Sequence, residues 1–255
     1  MDKSVWKRRR VSNALLCAGS LIAVLLTAQG AFGDAITGTA GSGWQPFPNS
    51  LHEQGNPYWD GASWDGSQNN VGHILSGQVG VTPPWWGNAN GSADFNLYFT
   101  RSGSMDALMF VALAGRAGVN ELGWYDIASP GVLHPIFPGG TAPGTTAFVN
   151  PSATYGFYFQ TLEDGAAQVY YTQSFLNPAG ETHHQHFAVF AQSLTPGSEI
   201  YWLGMEDLRL HSSDRDYQDM IARTQANPEP STFLLLAGGL LTFLFRRRWA
   251  RLSRG

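Results

Sequence analysis

Cysteine occurs once, as Cys17, inside an N-terminal apolar stretch. Everything downstream therefore lacks disulfides and a thiol nucleophile, so packing alone, or packing plus a metal, must hold the fold. Leu16 stands where lipoprotein processing wants a small residue, and the apolar run continues past Cys17, which argues against lipidation there. Lysine is missing after residue 7. Between residues 34 and 227 the Lys and Arg content is five arginines (Arg101, Arg116, Arg209, Arg215 and Arg223) against 17 of the chain's 19 acids, a net charge of about −12. So acidic a body repels phosphate backbones, which argues against nucleic-acid binding and favours a cation as partner. Helical periodicity and internal repeats are nearly absent from the body. So are G-x-S-x-G, H-E-x-x-H and a phosphate loop, which leaves no marked enzyme class.

Neither terminal hydrophobic run is long. The first, Ala14 to Ala28, follows Lys3, Lys7, Arg8, Arg9 and Arg10 and precedes small residues around Ala31-Phe32-Gly33. This is the grammar of a secretory signal peptide, expected over residues 1–33 with cleavage after Gly33; a retained membrane anchor is the alternative. The second, Phe233 to Phe245, falls short of the roughly 20 residues that span a bilayer, and Arg246, Arg247 and Arg248 follow at once. It predicts a short C-terminal hydrophobic helix with snorkelling arginines on the cytoplasmic side and the body outside. Just before it, Pro228-Glu229-Pro230 forms an extended stretch that a processing enzyme could hold and cut.

The tail order "NPEPST", apolar run, "RRR" over residues 227–255 resembles the PEP-CTERM sorting signal of Gram-negative bacteria, with Pro228, Glu229 and Pro230 as the core triplet. The resemblance implies recognition and removal of the tail by an exosortase, in a cell that makes exopolysaccharide and biofilm. It also implies a transient stay in the inner membrane before arrival at the cell surface or matrix. A plain C-terminal anchor is the alternative.

Residues 34–93 read as a loop-dominated start rich in Trp, Gly and Asn, in which only "VGHILSGQVGV" reads as extended. Residues 94–226 carry short strand-like runs such as "DFNLYFT", "ALMFVALA", "TYGFYFQT", "AQVYYTQSF", "HFAVFAQ" and "EIYWLGMEDL", separated by Gly, Pro or Asn. Phe157 and Phe159 alternate with Tyr158 and Gln160, which puts one face inward. Asp164-Gly165 reads as a hairpin turn, and "TPGSE" as a second turn that pairs its flanking runs. The expected fold is all-β, a two-sheet sandwich, with a jelly roll as one form of it. The runs "HHQHFAVFAQ", "YWLGMEDL" and "SDRDYQDMIAR" resemble the closing strands of an uncharacterised bacterial surface β-domain that often ends in E-D-L and then D-x-D-[YF]-x-D, here over about residues 120–223.

Candidate chemistry concentrates in that ending. Glu206 and Asp207 close one strand, and Asp214, Asp216 and Asp219 follow in and after a short loop. Calcium takes six to eight oxygens at roughly 2.3 to 2.6 Å, which such carboxylates supply, although an EF-hand's glycine and distal Glu are missing. Turn capping and pairing with Arg209, Arg215 or Arg223 is the alternative. In "ETHHQHF", His184 and His186 share a face if the segment is a strand, but nothing nearby identifies a third zinc ligand, and polar histidines at an exposed strand start explain them as well. Trp44, Trp59, Trp64, Trp85 and Trp86 fall among Asp and Asn in loops. Trp59, Trp64, Trp85 and Trp86 could present a sugar platform, although loop-anchoring or core aromatics are commoner. A hydrolytic pair built on Glu163 or Glu206 with an Asp is the weakest option. The expectation is a non-catalytic exported protein, structural or adhesive at the cell surface, with exosortase and exopolysaccharide as partners. The alternative is a carbohydrate-binding module.

Overall fold

The computed structural model describes residues 34–46, 70–79, 83–89, 91–101, 103–113, 115–193, 199–209 and 211–228. All of them fall in one unit, 32–228. The expected signal peptide, the tail helix, Trp59, Trp64, Glu229, Pro230, Arg246, Arg247 and Arg248 lie outside the described residues. Among the described residues no helix is long and apolar enough to cross a membrane.

Among the described residues are thirteen strands, one α-helix and a short 3-10 helix (Ser174–Leu176): β1 (Ala35–Gly38), β2 (Ser42–Gln45), α1 (Val71–Val79), β3 (Trp85–Asn88), β4 (Leu97–Thr100), β5 (Gly103–Ala112), β6 (Glu121–Asp126), β7 (Leu133–Phe137), β8 (Thr146–Val149), β9 (Thr154–Glu163), β10 (Ala166–Tyr171), β11 (Phe187–Ser193), β12 (Ile200–Met205) and β13 (Met220–Pro228). They form two antiparallel sheets, as the strand runs predict. The first has the order β1-β4-β9-β6-β7, with β10 also on β9; the second runs β2-β3-β11-β12-β13-β5-β8.

Strand alternation explains the core. In β5, Met105, Ala107 and Met109 are buried and Asp106 is exposed. In β9, Phe157 and Phe159 are buried, and the two sheets meet through contacts such as Phe99 on Tyr201, 5.7 Å between ring centroids. Tyr155 donates across the interior to Asp34 Oδ2 at 2.5 Å. Tyr158, on the opposite face of β9, is also fully buried, because Gly123 opposite it leaves room for the ring to lie flat and its hydroxyl donates to Glu121 Oε1 at 2.6 Å.

The hairpin expected at Asp164-Gly165 joins β9 and β10. Both residues have positive φ, 51° and 77°, and Glu163 pairs with Ala166, the signature of a two-residue turn that matches strand twist. β11 and β12 pair as "TPGSE" anticipates, although residues 194–198 of that turn lie outside the described residues.

The described residues at the start of the body add two things to that reading. They carry three strands, of which β1 joins the first sheet and β2 and β3 extend the second. The segment read as extended is instead the helix α1. Asn70 caps it, its Oδ1 accepting from His73 N at 2.9 Å, and Val71, Ile74 and Leu75 recur at helical spacing against the core. That short 3.6-residue signal was masked by the glycines within and after it.

Candidate functional site

Tyr201, inward on β12, touches the first sheet, so Trp202, Gly204 and the next even residue, Glu206, face the outer side. That side is covered by α1 and the loop before β13. A Cβ on Gly204 would lie 2.6 Å from the Tyr217 carbonyl oxygen and 2.7 Å from Val71 Cγ2, so only glycine allows the loop so close. The Asp216 carbonyl also accepts from Val71 N at 2.8 Å.

Arg215 and Tyr217 both sit in the left-handed region, φ 59° and 54°, a conformation side chains adopt at a cost. Tyr217 is fully buried and its hydroxyl donates to the Gln185 carbonyl at 2.9 Å. The loop so held brings the predicted acids together. Glu206, Asp214 and Asp216 offer oxygens within 4.8 Å of one another, and Glu206, Asp207 and Asp219 do the same. Glu206 belongs to both groups. It is 1% exposed, Asp207 4% and Asp216 5%, and Asp214 and Asp219 are half-buried.

Hydrogen bonds fix part of the cluster. Asp207 N donates to Asp219 Oδ2 at 2.8 Å, Leu208 N to Glu206 Oε1 at 3.3 Å, and Gln218 N to Asp216 Oδ1 at 3.1 Å. Asn120 donates to Asp207 Oδ2 at 2.9 Å while its own Oδ1 accepts from Thr161, which ties the cluster to the first sheet. Burial, then the like charges of Asp219, Asp214 and Asp216, push the Glu206 carboxyl well above the usual carboxylate range. Burial and Asp207 raise Asp219 to about 7.

Two of the three arginines expected to neutralise the acids, Arg209 and Arg223, have other partners. Arg209 lies 3.1 Å from Glu163 Oε2, and Arg223 donates to Gln225 Oε1 at 2.9 Å. Arg116, not foreseen, reaches Asp207 Oδ1 at 3.9 Å. Asn120 and Arg116 precede β6, far from the acids in sequence, so no spacing signal pointed to them.

His184 is half-buried in the loop before β11, and His186 does not mark an exposed strand start. His186 is fully buried, stacked on Tyr170 at 3.5 Å and 5°. Its Nδ1 faces the Glu206 carbonyl at 3.2 Å, so Nδ1 carries the proton, and Nε2 lies 3.1 Å from Glu181 Oε2. His184 Nδ1 approaches that same Glu181 oxygen at 3.2 Å. Burial lowers the His186 pKa despite Glu181. This arrangement braces the strand end that carries Glu206.

Two of the tryptophans proposed for sugar are core. Trp85 is 4% and Trp86 8% exposed, in β3 and paired with β11. Trp44 packs edge-on against Trp86, ring centroids 5.2 Å apart. The Pro and Gly residues around "WWGN" concealed a short strand. Glu163, 7% exposed, and Glu206 are likewise closed off from a polymer chain.

A different surface is open. On the outer face of the second sheet, Gln225, Asp106 and Phe148 stand side by side in register across β13, β5 and β8, with Arg223, Leu108 and Thr146 in the adjoining row. Together they line a groove of about 580 Å³, and Phe148 is 69% exposed.

The chain carries a PEP-CTERM protein-sorting motif at residues 228–248. Residues 144–227 match the family model described as Domain of unknown function (DUF4114), a shorter span than the resemblance to a surface β-domain implied. That match contains all five acids. No curated protein matches the chain. Among solved structures, the Chromobacterium violaceum lectin CV2L in complex with alpha-methyl-fucoside is similar at 14% identity, over 51% of this chain and 95% of that one, with a TM-score of 0.30. The sorting motif implies export toward the cell surface and processing by an exosortase.

Proposed function

We propose that this chain is a non-catalytic scaffold of the cell surface or extracellular matrix, delivered by a signal peptide over residues 1–33 and released through its tail after a transient stage in the inner membrane. The observation that carries this reading is the junction at residue 228. Pro228 is the last residue of β13, in register with Gly103, and the first residue of the sorting motif. Removal of the tail after that residue therefore leaves β13, and with it both sheets, whole. Its conspicuous carboxylates serve the fold, because Glu206 and Glu163 are buried within it instead of lining an open cleft.

The test replaces Pro228, Glu229 and Pro230 with alanine in the full chain and fractionates the cells. The unaltered chain is expected as a shortened species outside the inner membrane, and the variant as a full-length species within it. Equal distribution and equal length for the two would refute the reading.

A second reading, glycan binding, is favoured by the groove under Phe148. One exposed aromatic ring beside Asp106, Gln225, Arg223 and Thr146 supplies an apolar face and polar groups that can orient hydroxyls. Phe148→Ala should abolish retention on exopolysaccharide and leave the thermal midpoint within a degree or so, since a side chain this exposed contributes little to stability. Undiminished retention would leave the scaffold role standing alone.

A further inference from the structure

Glu206 is 1% exposed, and its Oε2 atom is buried without a hydrogen-bond partner. A carboxylate in that position has given up its hydration without compensation unless it takes a proton or a counter-ion. Four more carboxylates converge on it from two directions: Asp207 and Asp219 at the strand ends, Asp214 and Asp216 from the loop. Arg116 reaches this cluster at Asp207, 3.9 Å away.

We propose that this cluster is a divalent-cation site centred on Glu206, with Asp214, Asp216, Asp207 and Asp219 as the flanking oxygen donors and calcium as the ion. The donor set contains oxygen alone, which suits a hard cation and not zinc or copper. Oxygens up to 4.8 Å apart match opposite ligands around an ion with bonds near 2.4 Å. Donors drawn from a strand end, a loop and the start of the next strand give an irregular cage, which calcium tolerates and magnesium, with its strict octahedron, does not. Bound there, the ion joins β12, the 213–219 loop and β13 through a single centre. It also supplies the charge that the buried Glu206 oxygen lacks.

The test uses the full chain in detergent, stripped with EDTA and then titrated with CaCl2 or MgCl2 while thermal unfolding is followed. Calcium should raise the midpoint progressively with concentration, as a ligand of the native state does, and magnesium should raise it less. Glu206→Gln should keep the β-type circular dichroism and lose the calcium response. Asp214→Asn, at a half-buried position where folding is least at risk, should weaken apparent calcium affinity by about tenfold or more. The assignment is overturned by a wild-type midpoint equal in calcium and in EDTA, or by a calcium response that survives Glu206→Gln. Should Glu206→Gln not fold, unchanged affinity in Asp214→Asn overturns it instead.

Discussion

Glu206 is held in place from behind: His186 donates to its carbonyl, Glu181 faces the other side of that imidazole, and the Leu208 amide occupies Oε1. Its neighbour Asp219 makes a separate prediction that needs no cation. Folding raises the Asp219 carboxyl from the ordinary range, about 4, to about 7, through burial first and Asp207 second. A raised acid favours the protonated form in the fold. Its contribution to stability is therefore complete below about pH 4 and lost as pH climbs through about 7. In EDTA, the thermal midpoint of the chain should fall across that window, and Asp219→Asn should flatten the fall. A slope identical in the two proteins would contradict the assignment. At this scale the acids themselves were legible, since five carboxylates within 14 residues stand out in a chain so poor in charge. Their partners were not. Arg116 and Asn120 are brought to Asp207 by sheet pairing across roughly 90 residues, and no local pattern encodes such a contact.

The loop between β12 and β13 depends on two neighbouring elements for its position. α1 presses Val71 against Gly204 from one side, and Tyr217 hangs from Gln185 on the other. Gly204→Ala would drive a methyl group into the Tyr217 carbonyl and Val71, and should cost about 1–3 kcal/mol, the usual penalty for overpacking. Urea unfolding in EDTA measures it; a loss under about 0.5 kcal/mol, the range of an inert surface change, would mean that the loop is not so tightly seated. Strands with clear alternation, such as β5 and β9, and the Asp164-Gly165 hairpin were readable because period and turn chemistry are local. β3 and α1 were not. A four-residue strand between prolines and a glycine carries too little pattern, and the 3.6-residue repeat of α1 amounts to one turn and a cap. Those two errors are also why Trp85 and Trp86 looked available for sugar. Pairing of β3 with β11 folds them under instead.

The molecule as a whole joins an address to a stable cargo. The body lacks lysine and disulfides, carries about −12, and crowds five of its acids beside one strand end. A compartment that supplies calcium would relieve that repulsion, whereas the chain alone must tolerate it. The address begins where the last strand ends, at Pro228, so the tail can be removed without entering either sheet. The all-β class and the tail motif were both legible from sequence: one because strand-like runs recur between turn residues, the other because three unlike segments occur in fixed order. The sheet order was not, since β1 and β2 lie next to each other in the chain yet join different sheets. The decisive measurement is the intact mass of the chain recovered from outside the inner membrane. The expected species lacks both the first 33 residues or so and the segment from Glu229 onward, with the sandwich between them whole. Recovery of the protein only as a membrane-bound species that retains residues 229–255 would contradict that expectation.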